Sequence, residues 1–311
     1  MTDKPITIGA DIGGGHIVSA AVNTHSGKII ESSRAYVKVN NKASKEVILE
    51  TWAKALNQTI EKIDLNRLAG IGFAMPGPFE YKTGLARFEG NDKYEALYDV
   101  NIREELPAYL SAPDIPLRFI NDATAFAVGV SWLGEGRGFH KVIAITLGTG
   151  FGSAYIEDGI PVVNREDVAE QGCFWHLPYE DGIADDYFST RWFVHEYQKL
   201  SGKKAPGVKE VAEAARERED ARNLFITFGR NLGEFFIPWL KKFPADSLVI
   251  GGNISHAYPL FGTALEAVFR ENGLDTRVTT SSLMEDAALI GSARLFEQAF
   301  WGKVKDSLPG L

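Results

Sequence analysis

The sequence is poor in the features that mark several classes of protein. Cys173 is the only cysteine in 311 residues, which excludes an internal disulfide and a zinc site built from several cysteines. No apolar run reaches the roughly 18 residues of a membrane span, and the first residues do not resemble a secretory signal. The net charge of −8 comes without any lysine or arginine block, which argues against nucleic-acid binding. We therefore expect a cytoplasmic protein without a membrane or nucleic-acid partner.

Two glycine clusters stand out against this background, because each lies between two β-rich runs. The first is in residues 6–23 and the second in residues 141–158. Glycine takes positive φ values without strain and lets a ligand approach the backbone, so such a turn can offer N–H groups to an anion. A hairpin also needs glycine for conformation alone, and a single turn fits either interpretation. Recurrence at the head of two half-chains favours two turns that bind one polyphosphate.

The segments between the glycine clusters read as alternating strands and helices. A stripe that includes Leu49, Trp52 and Leu56 predicts a helix with Ser44 at its N-cap. The β-rich run 68–75 ends at a Pro-Gly-Pro loop, as expected for a strand that delivers a ligand-binding loop. A strand at 115–120 leads to Asn121 and Asp122, whose side chains can cap the helix of small residues that follows.

Five short segments, taken in order, resemble the ROK family of sugar kinases and regulators. They are Asp11–Gly15, Pro76–Pro78, Asn121–Ala125, Leu147–Gly152 and Val249–Asn253. The resemblance implies an α/β fold of the actin-like ATPase (ribonuclease H-like) type, with an internal duplication and a cleft between two domains. We expect residues 1–118 with about 290–311 to form the smaller domain, and residues 119–289 the larger one.

The resemblance also implies ATP and Mg²⁺ as cofactors and a hexose as substrate. The residues that match the nucleotide motifs are Asp11, Gly13, Gly14, Gly148, Thr149, Gly150, Gly152, Gly251 and Gly252. Asp11 could hold Mg²⁺ directly or through water, since this hard cation prefers oxygen ligands. Asp122 matches the catalytic base, although it could serve only to cap its helix. The expected sugar-binding residues are Asn91, Asn121, Glu170 and His176.

One segment departs from the family pattern. Residues 169–173 read Ala-Glu-Gln-Gly-Cys where the family usually has Gly-Glu-Ile-Gly-His, and no cysteine-rich zinc motif follows. Cys173 and His176 are two donors, which do not make a closed tetrahedral site, so we expect no structural zinc. Trp175 or His176 could contact a sugar, but a place in the core is the commoner fate of such a residue. Gly15 and His16 replace the usual Thr-Lys.

The leading hypothesis is an ATP-dependent kinase that phosphorylates glucose or a close relative, with the 6-hydroxyl as acceptor and Asp122 as general base. The alternatives are a sugar-sensing regulator and a sugar-binding protein without catalytic activity. The family is often dimeric, and we expect a homodimer here.

Overall fold

The fold is taken from a computed structural model, in which residues 4–90 and 93–308 are described. In chain order the strands are β1 Ile6–Ile12, β2 His16–Asn23, β3 Lys28–Lys38, β4 Leu68–Met75, β5 Phe79–Glu80, β6 Leu85–Ala86, β7 Leu117–Asn121, β8 Lys141–Leu147, β9 Phe151–Glu157, β10 Ile160–Val162, β11 Pro178–Tyr179, β12 Gly182–Ile183, β13 Ser247–Gly251 and β14 Arg277–Thr280. The α-helices are α1 Lys45–Ile60, α2 Ile102–Glu105, α3 Asp122–Leu133, α4 Ala184–Tyr187, α5 Thr190–Ser201, α6 Val208–Ala214, α7 Glu219–Lys242, α8 Tyr258–Glu271, α9 Asp286–Ala293 and α10 Gln298–Val304. Within the described ranges, none of these helices has both the length and the apolar character to cross a bilayer.

The chain divides into two compact units, each with its own core. Unit 1 comprises Met1–Leu133 with Glu285–Leu311, and unit 2 comprises Gly134–Met284. These divisions differ from the expected boundaries near residues 118 and 289. The difference arises because α3 and α9 pack against each other, and α9 also packs on β1 and β4, so both helices belong to unit 1.

Both units are built on the same arrangement of strands. The sheet of unit 1 has the order β3-β2-β1-β4-β7, and the sheet of unit 2 has the order β10-β9-β8-β13-β14. In each, three strands form an antiparallel meander and two further strands run parallel to the first strand of the meander. The α/β fold with an internal duplication is therefore confirmed.

The parallel strands explain where functional residues gather. In unit 1, strands β1, β4 and β7 end at one edge of the sheet, at Ile12, Met75 and Asn121. In unit 2, β8 and β13 end together in the same way. Ligands commonly bind beyond the carboxyl ends of parallel strands, because the loops that follow them converge there.

Helix α1 shows how the apolar stripe is used. Trp52 and Leu56 have no solvent exposure, and Leu49 and Ile60 are buried with them against the first sheet. Ser44 stands at the N-cap position as predicted, but its side chain makes no capping hydrogen bond. The apolar stripe in the sequence therefore predicts burial rather than capping. Burial of each such side chain stabilises the fold by about 1.5–3 kcal/mol.

Helix α9 lies so close to its neighbours in unit 1 that glycine is required at the contacts. A Cβ added to Gly72 on β4 would lie 2.0 Å from the Ser292 carbonyl oxygen, and one added to Gly9 on β1 would lie 2.1 Å from that of Leu289. Gly129 on α3 and Gly291 on α9 meet backbone in the same way. The helix thus packs with its backbone directly on β1, β4 and α3.

Substitution of Gly72 by alanine should destabilise unit 1, because the methyl group would overlap backbone that cannot move independently of its helix. We expect Gly72→Ala to lower the free energy of unfolding by about 2–3 kcal/mol in urea titrations. Gly302→Ala is the matched control, since a Cβ at Gly302 in α10 meets nothing within 4 Å. That control should be neutral or stabilising by up to about 1 kcal/mol, and equal losses in both variants would contradict the close-packing explanation.

Candidate active site

The first glycine turn joins β1 to β2, and hydrogen bonds to its carbonyl oxygens hold it in place. The Gly13 N–H donates to the His16 carbonyl oxygen at 2.9 Å. The Tyr94 hydroxyl donates to the Gly13 carbonyl oxygen at 2.6 Å, and the Asn41 side-chain amide donates to that of Gly14. Because a trans peptide points its C=O and N–H in opposite directions, these contacts turn the N–H groups of Gly14 and Gly15 to the other side. Neither N–H has an acceptor among the residues that the structure describes.

The second glycine turn joins β8 to β9 in unit 2, and its carbonyl oxygens are also held by hydrogen bonds. The Gly148 N–H donates to the Gly150 carbonyl oxygen at 3.1 Å. The Gly148 carbonyl oxygen in turn accepts from the N–H and the hydroxyl of Thr190, at 2.8 and 2.9 Å. Within residues 4–90 and 93–308, the N–H groups of Thr149 and Gly150 have no acceptor. Gly152 follows within β9, paired with Thr146 of β8.

Three side-chain contacts complete the support of this second turn. Arg191 Nη1 donates to the Thr149 carbonyl oxygen at 3.1 Å. The Phe151 N–H donates to Asp185 Oδ1 at 2.5 Å, and Arg191 forms an ion pair with the same carboxylate. Both turns therefore have their carbonyl oxygens bound and two adjacent N–H groups left to bind an anion.

Gly251 and Gly252 lie beside the second turn. Gly251 is paired with Thr146 in the parallel ladder, at the end of β13. Gly252 has φ +79°, and a Cβ at this position would lie 2.4 Å from the Leu147 carbonyl oxygen. Only glycine combines that backbone conformation with so close an approach to β8.

A cavity of about 750 Å³ opens next to these glycines within unit 2. Its apolar lining comes from α6, α8 and the turn between β13 and α8, and it includes Val208, Ala212, Ile254 and Leu260. Thr190, which binds the Gly148 carbonyl oxygen, also lines it. A mostly apolar cavity of this size is typical of a small-molecule site, and Thr190 connects its lining to the second turn.

Asp122 lies at the junction of β7 and α3, where two donors fix one of its oxygens. Oδ1 accepts from the Ala123 N–H at 2.8 Å and from the Asn121 side-chain amide at 3.0 Å. Asn121 itself caps α3, since its Oδ1 accepts from the Thr124 N–H at 3.1 Å. Burial raises the pKa of Asp122, while the Ala123 N–H and the charge of Lys93 act in the opposite direction. Both predicted capping residues thus stand at the start of the helix, and Asp122 is in addition a buried carboxylate.

Asp11 on β1 belongs to a group of carboxylates in unit 1. Burial, followed by the charges of Asp122 and Glu285, raises the pKa of Asp11 from 3.8 to about 7. Crowded negative charge of this kind is relieved by a divalent cation. Mg²⁺ in phosphoryl-transfer sites takes one or two carboxylates and otherwise water and phosphate oxygens, so Asp11 fits the expected ion.

The predicted sugar contacts divide between the two units. Asn121 lies in unit 1, whereas Glu170 and His176 lie in unit 2, on either side of Cys173. His176 Nδ1 is 3.8 Å from Cys173 Sγ, and its buried Nε2 has no partner in the part of the chain that the structure describes. Trp175 is 48% exposed and packs edge-on against His176. Asn91 lies outside the described residues.

No group of three or more His, Cys, Asp or Glu side chains within residues 4–90 and 93–308 could hold a metal ion.

Several residues at these sites carry no motif in the sequence. Tyr94 and Asn41 hold the first turn, and Asp185 and Arg191 hold the second. Lys93 lies against Gly14, since a Cβ added there would be 3.2 Å from Lys93 Cε. They lie far from the turns along the chain, so only the completed fold reveals them.

The raised pKa of Asp11 predicts a pH-dependent cost to stability. A carboxyl group with a pKa of 3.8 when unfolded and about 7 when folded destabilises the fold progressively as the pH rises from 3.8 to 7. Asp11→Asn removes this cost, so with EDTA present its thermal midpoint should exceed the wild type by several degrees at pH 8, equivalent to about 2–4 kcal/mol. The difference should shrink by at least half at pH 5.

Asp114→Asn is the control for this experiment, because Asp114 is an exposed carboxylate of the same unit. It should leave the midpoint unchanged at both pH values. A difference between Asp11→Asn and wild type that stayed constant from pH 5 to pH 8 would show that Asp11 is not the titrating group.

The sequence and the fold are both similar to those of known proteins. The model of the ROK family matches residues 7–299. A glucokinase of Thermotoga maritima is 27% identical over 329 residues, with 95% of this chain and 98% of the relative covered. A ROK family glucokinase from Streptomyces griseus, solved with glucose and AMPPNP, has a TM-score of 0.74 at 24% identity, covering 94% of this chain and 99% of its own.

A regulator is also among the structural neighbours. A ROK family transcriptional regulator, described as a homolog of the E. coli MLC protein, has a TM-score of 0.76 at 16% identity and covers 96% of this chain and 79% of its own. These structures share the actin-like ATPase fold that the motifs implied. Since the family model matches almost the whole length, this chain belongs to the ROK family.

Proposed function

We propose that this protein transfers the γ-phosphoryl group of ATP to a hydroxyl of a hexose, glucose or a close relative, with the 6-hydroxyl as acceptor. The observation that carries the proposal is the pair of glycine turns. In each turn the carbonyl oxygens are bound from behind, and two adjacent N–H groups are left without an acceptor among the described residues. Phosphate oxygens are acceptors that suit such a pair, because backbone N–H groups stabilise anions without a flexible side chain.

The second turn and the neighbouring cavity together suit a nucleoside polyphosphate. In this proposal the apolar cavity of unit 2 takes the base and Gly251 and Gly252 line the path of the ribose. Thr149 and Gly150 offer their N–H groups to the phosphates, while Gly148, whose N–H is bound within the turn, precedes them and Gly152 follows them in β9. In the first turn, Gly14 and Gly15 offer their N–H groups to phosphate oxygens in the same manner, and Gly13, whose N–H donates to the His16 carbonyl oxygen, precedes them.

Asp122 is proposed as the general base. Its Oδ1 is fixed by the Ala123 N–H and the Asn121 amide, which leaves Oδ2 to accept a proton from the sugar hydroxyl. The hydroxyl oxygen forms a bond to the γ-phosphorus while the bond to the β-phosphate oxygen breaks, ADP leaves, and the proton passes to Asp122. A carboxylate whose pKa is raised by burial is a better proton acceptor in this step.

Asp11 is the carboxylate proposed to meet Mg²⁺, directly or through water. The ion, when bound, neutralises charge on the phosphates as the phosphoryl group is transferred. Asp11 remains ionised more fully when a cation is near, since its raised pKa results from burial and from neighbouring negative charge.

The sugar is proposed to contact amide, carboxylate and imidazole groups. Asn121 both donates and accepts, as a sugar hydroxyl does, and a sugar would take the place of the Tyr81 hydroxyl that now accepts from its amide at 3.2 Å. The exposed Glu170 offers an acceptor, and His176 offers Nε2, a buried nitrogen that is unpaired among the described residues. Asn91 stays a prediction. The altered segment 169–182 contains two of these residues, so it is the part of the chain expected to set sugar preference.

Replacement of Asp122 tests the proposed chemistry. Asp122→Asn keeps an oxygen for the Ala123 N–H but cannot accept the proton, so kcat should fall at least about a hundredfold. ADP release is measured by a coupled assay over hexoses, N-acetylhexosamines and ketoses, with the thermal midpoint as a check on folding. Turnover by a folded variant at the wild-type rate would remove Asp122 from the mechanism. Sugar binding by the wild type without turnover on any of these sugars would favour a sugar-binding role.

Filling the cavity tests its proposed role. Ala212→Trp places a large side chain in the space assigned to the base and should raise KM for ATP about tenfold or more, with KM for the sugar unchanged. Glu210→Trp is the control, because Glu210 is exposed on the same helix and does not line the cavity. An unchanged KM for ATP in Ala212→Trp would assign the base to another site.

A further inference from the structure

We propose that Asp185 and Arg191 are positioning residues for nucleotide binding, which hold the second glycine turn in the orientation that can receive phosphate. The inference rests on the proposed function and adds residues that no motif of the sequence indicated. The β8–β9 hairpin is closed by its own backbone, through the pairing of Leu147 with Phe151 and the hydrogen bond from the Gly148 N–H to the Gly150 carbonyl oxygen. Both side chains nevertheless bind the backbone of its turn.

The contacts of Arg191 decide which face of the turn carries the N–H groups. The peptide between Thr149 and Gly150 has one C=O and one N–H, and in a trans peptide these point in opposite directions. Arg191 Nη1 donates to the Thr149 carbonyl oxygen at 3.1 Å. As long as that bond is made, the Gly150 N–H points away from Arg191. Thr190 fixes the preceding peptide in the same way, through the Gly148 carbonyl oxygen.

Without such a restraint this turn has an alternative conformation. Rotation of the 149–150 peptide plane changes ψ of Thr149 and φ of Gly150, and glycine accepts φ values of either sign at little cost. The rotated peptide would present a carbonyl oxygen where an N–H now points, so a binding contact would become a repulsion. Gly150 leaves the backbone of the turn accessible to a ligand, but it also allows the peptide to rotate. The turn therefore depends on a hydrogen bond from outside it to keep its orientation.

Asp185 holds both the turn and the arginine. Its Oδ1 accepts from the Phe151 N–H at 2.5 Å, and its carboxylate pairs with Arg191. Arg191 Nη2 also donates to the Asp185 main-chain carbonyl oxygen at 3.3 Å. A Cβ on Gly150 would lie 3.0 Å from Asp185 Oδ1, so the carboxylate is in close contact with the turn.

The position of Asp185 is fixed in turn by the segment that departs from the family pattern. The Asp185 N–H donates to the Trp175 carbonyl oxygen at 3.0 Å, and the Ala184 N–H donates to that of Leu177 at 2.9 Å. Phe174 and Phe188, on either side, have no solvent exposure and belong to the core of unit 2. Residues 174–188 are thus anchored in the core and hold Asp185 against the phosphate-binding turn.

The experiment compares ligands that do and do not carry phosphates. Binding of adenosine and of a non-hydrolysable ATP analogue is measured by calorimetry on the wild type, Arg191→Ala, Arg191→Lys and Asp185→Asn. In Arg191→Ala the Kd for the analogue should rise about tenfold, since one charge-assisted hydrogen bond to phosphate is weakened. The Kd for adenosine should stay within about twofold. Arg191→Lys, which keeps one donor, should give an intermediate value, and Asp185→Asn should resemble Arg191→Ala.

Arg218→Ala is the matched control. Arg218 pairs with Asp220 in the same unit, and the two side chains are 42% and 44% exposed. In the part of the chain that the structure describes, this pair makes no contact with the second turn, so its loss should leave both Kd values unchanged. Equal weakening of adenosine and analogue in Arg191→Ala would indicate a general loss of structure and would overturn the inference, as would an unchanged Kd for the analogue.

The outcomes also separate this inference from the kinase assignment. If Arg191→Ala weakens the analogue alone but the wild type phosphorylates no sugar, the positioning role stands and the proposed function fails. If the wild type is an active kinase and Arg191→Ala binds the analogue normally, the function stands and the positioning role fails. If the wild type does not bind the ATP analogue, both the positioning role and the proposed function are wrong.

Discussion

The donors that this protein can offer to a phosphate depend on where its carbonyl oxygens are held. A planar trans peptide has its C=O and N–H opposed, so a hydrogen bond to one fixes the direction of the other. The first turn relies on Tyr94 and Asn41, which lie 81 and 27 residues along the chain from their acceptors. The second relies on Thr190 and Arg191, each 42 residues from its acceptor. Neither turn is fully oriented until its unit has folded.

This dependence explains what the sequence could and could not reveal. The strands, the glycine turns and the start of α3 at Asn121 and Asp122 were predictable, because each is encoded within a few neighbouring residues. The supports of the turns were not, since a tyrosine or an arginine tens of residues away carries no local sign of its partner. The domain boundaries differ for a related reason. Helix α3 follows β7 directly and resembles the start of a new domain, but its small side chains pack mainly against α9 of unit 1.

The acidic groups of unit 1 lower the stability of the fold, and their proposed value lies in function. The raised pKa of Asp11 results first from its burial and then from the like charges of Asp122 and Glu285. A fold selected for stability alone would replace one of them with a neutral residue. Their retention in one unit is understandable if a cation and a proton must be handled there, which is the role proposed for Asp11 and Asp122.

The close packing of α9 has a consequence for the order of events during synthesis. β1, β4 and α3 leave the ribosome early, yet the helix that covers them is encoded after the whole of unit 2. Unit 2 is continuous in sequence and can fold as soon as it emerges, since domains generally fold as units during translation. Unit 1, although it begins the chain, is therefore completed last. Until then the glycine-lined surface that receives α9 stays uncovered, and exposed packing surface of this kind makes an incomplete chain prone to aggregate.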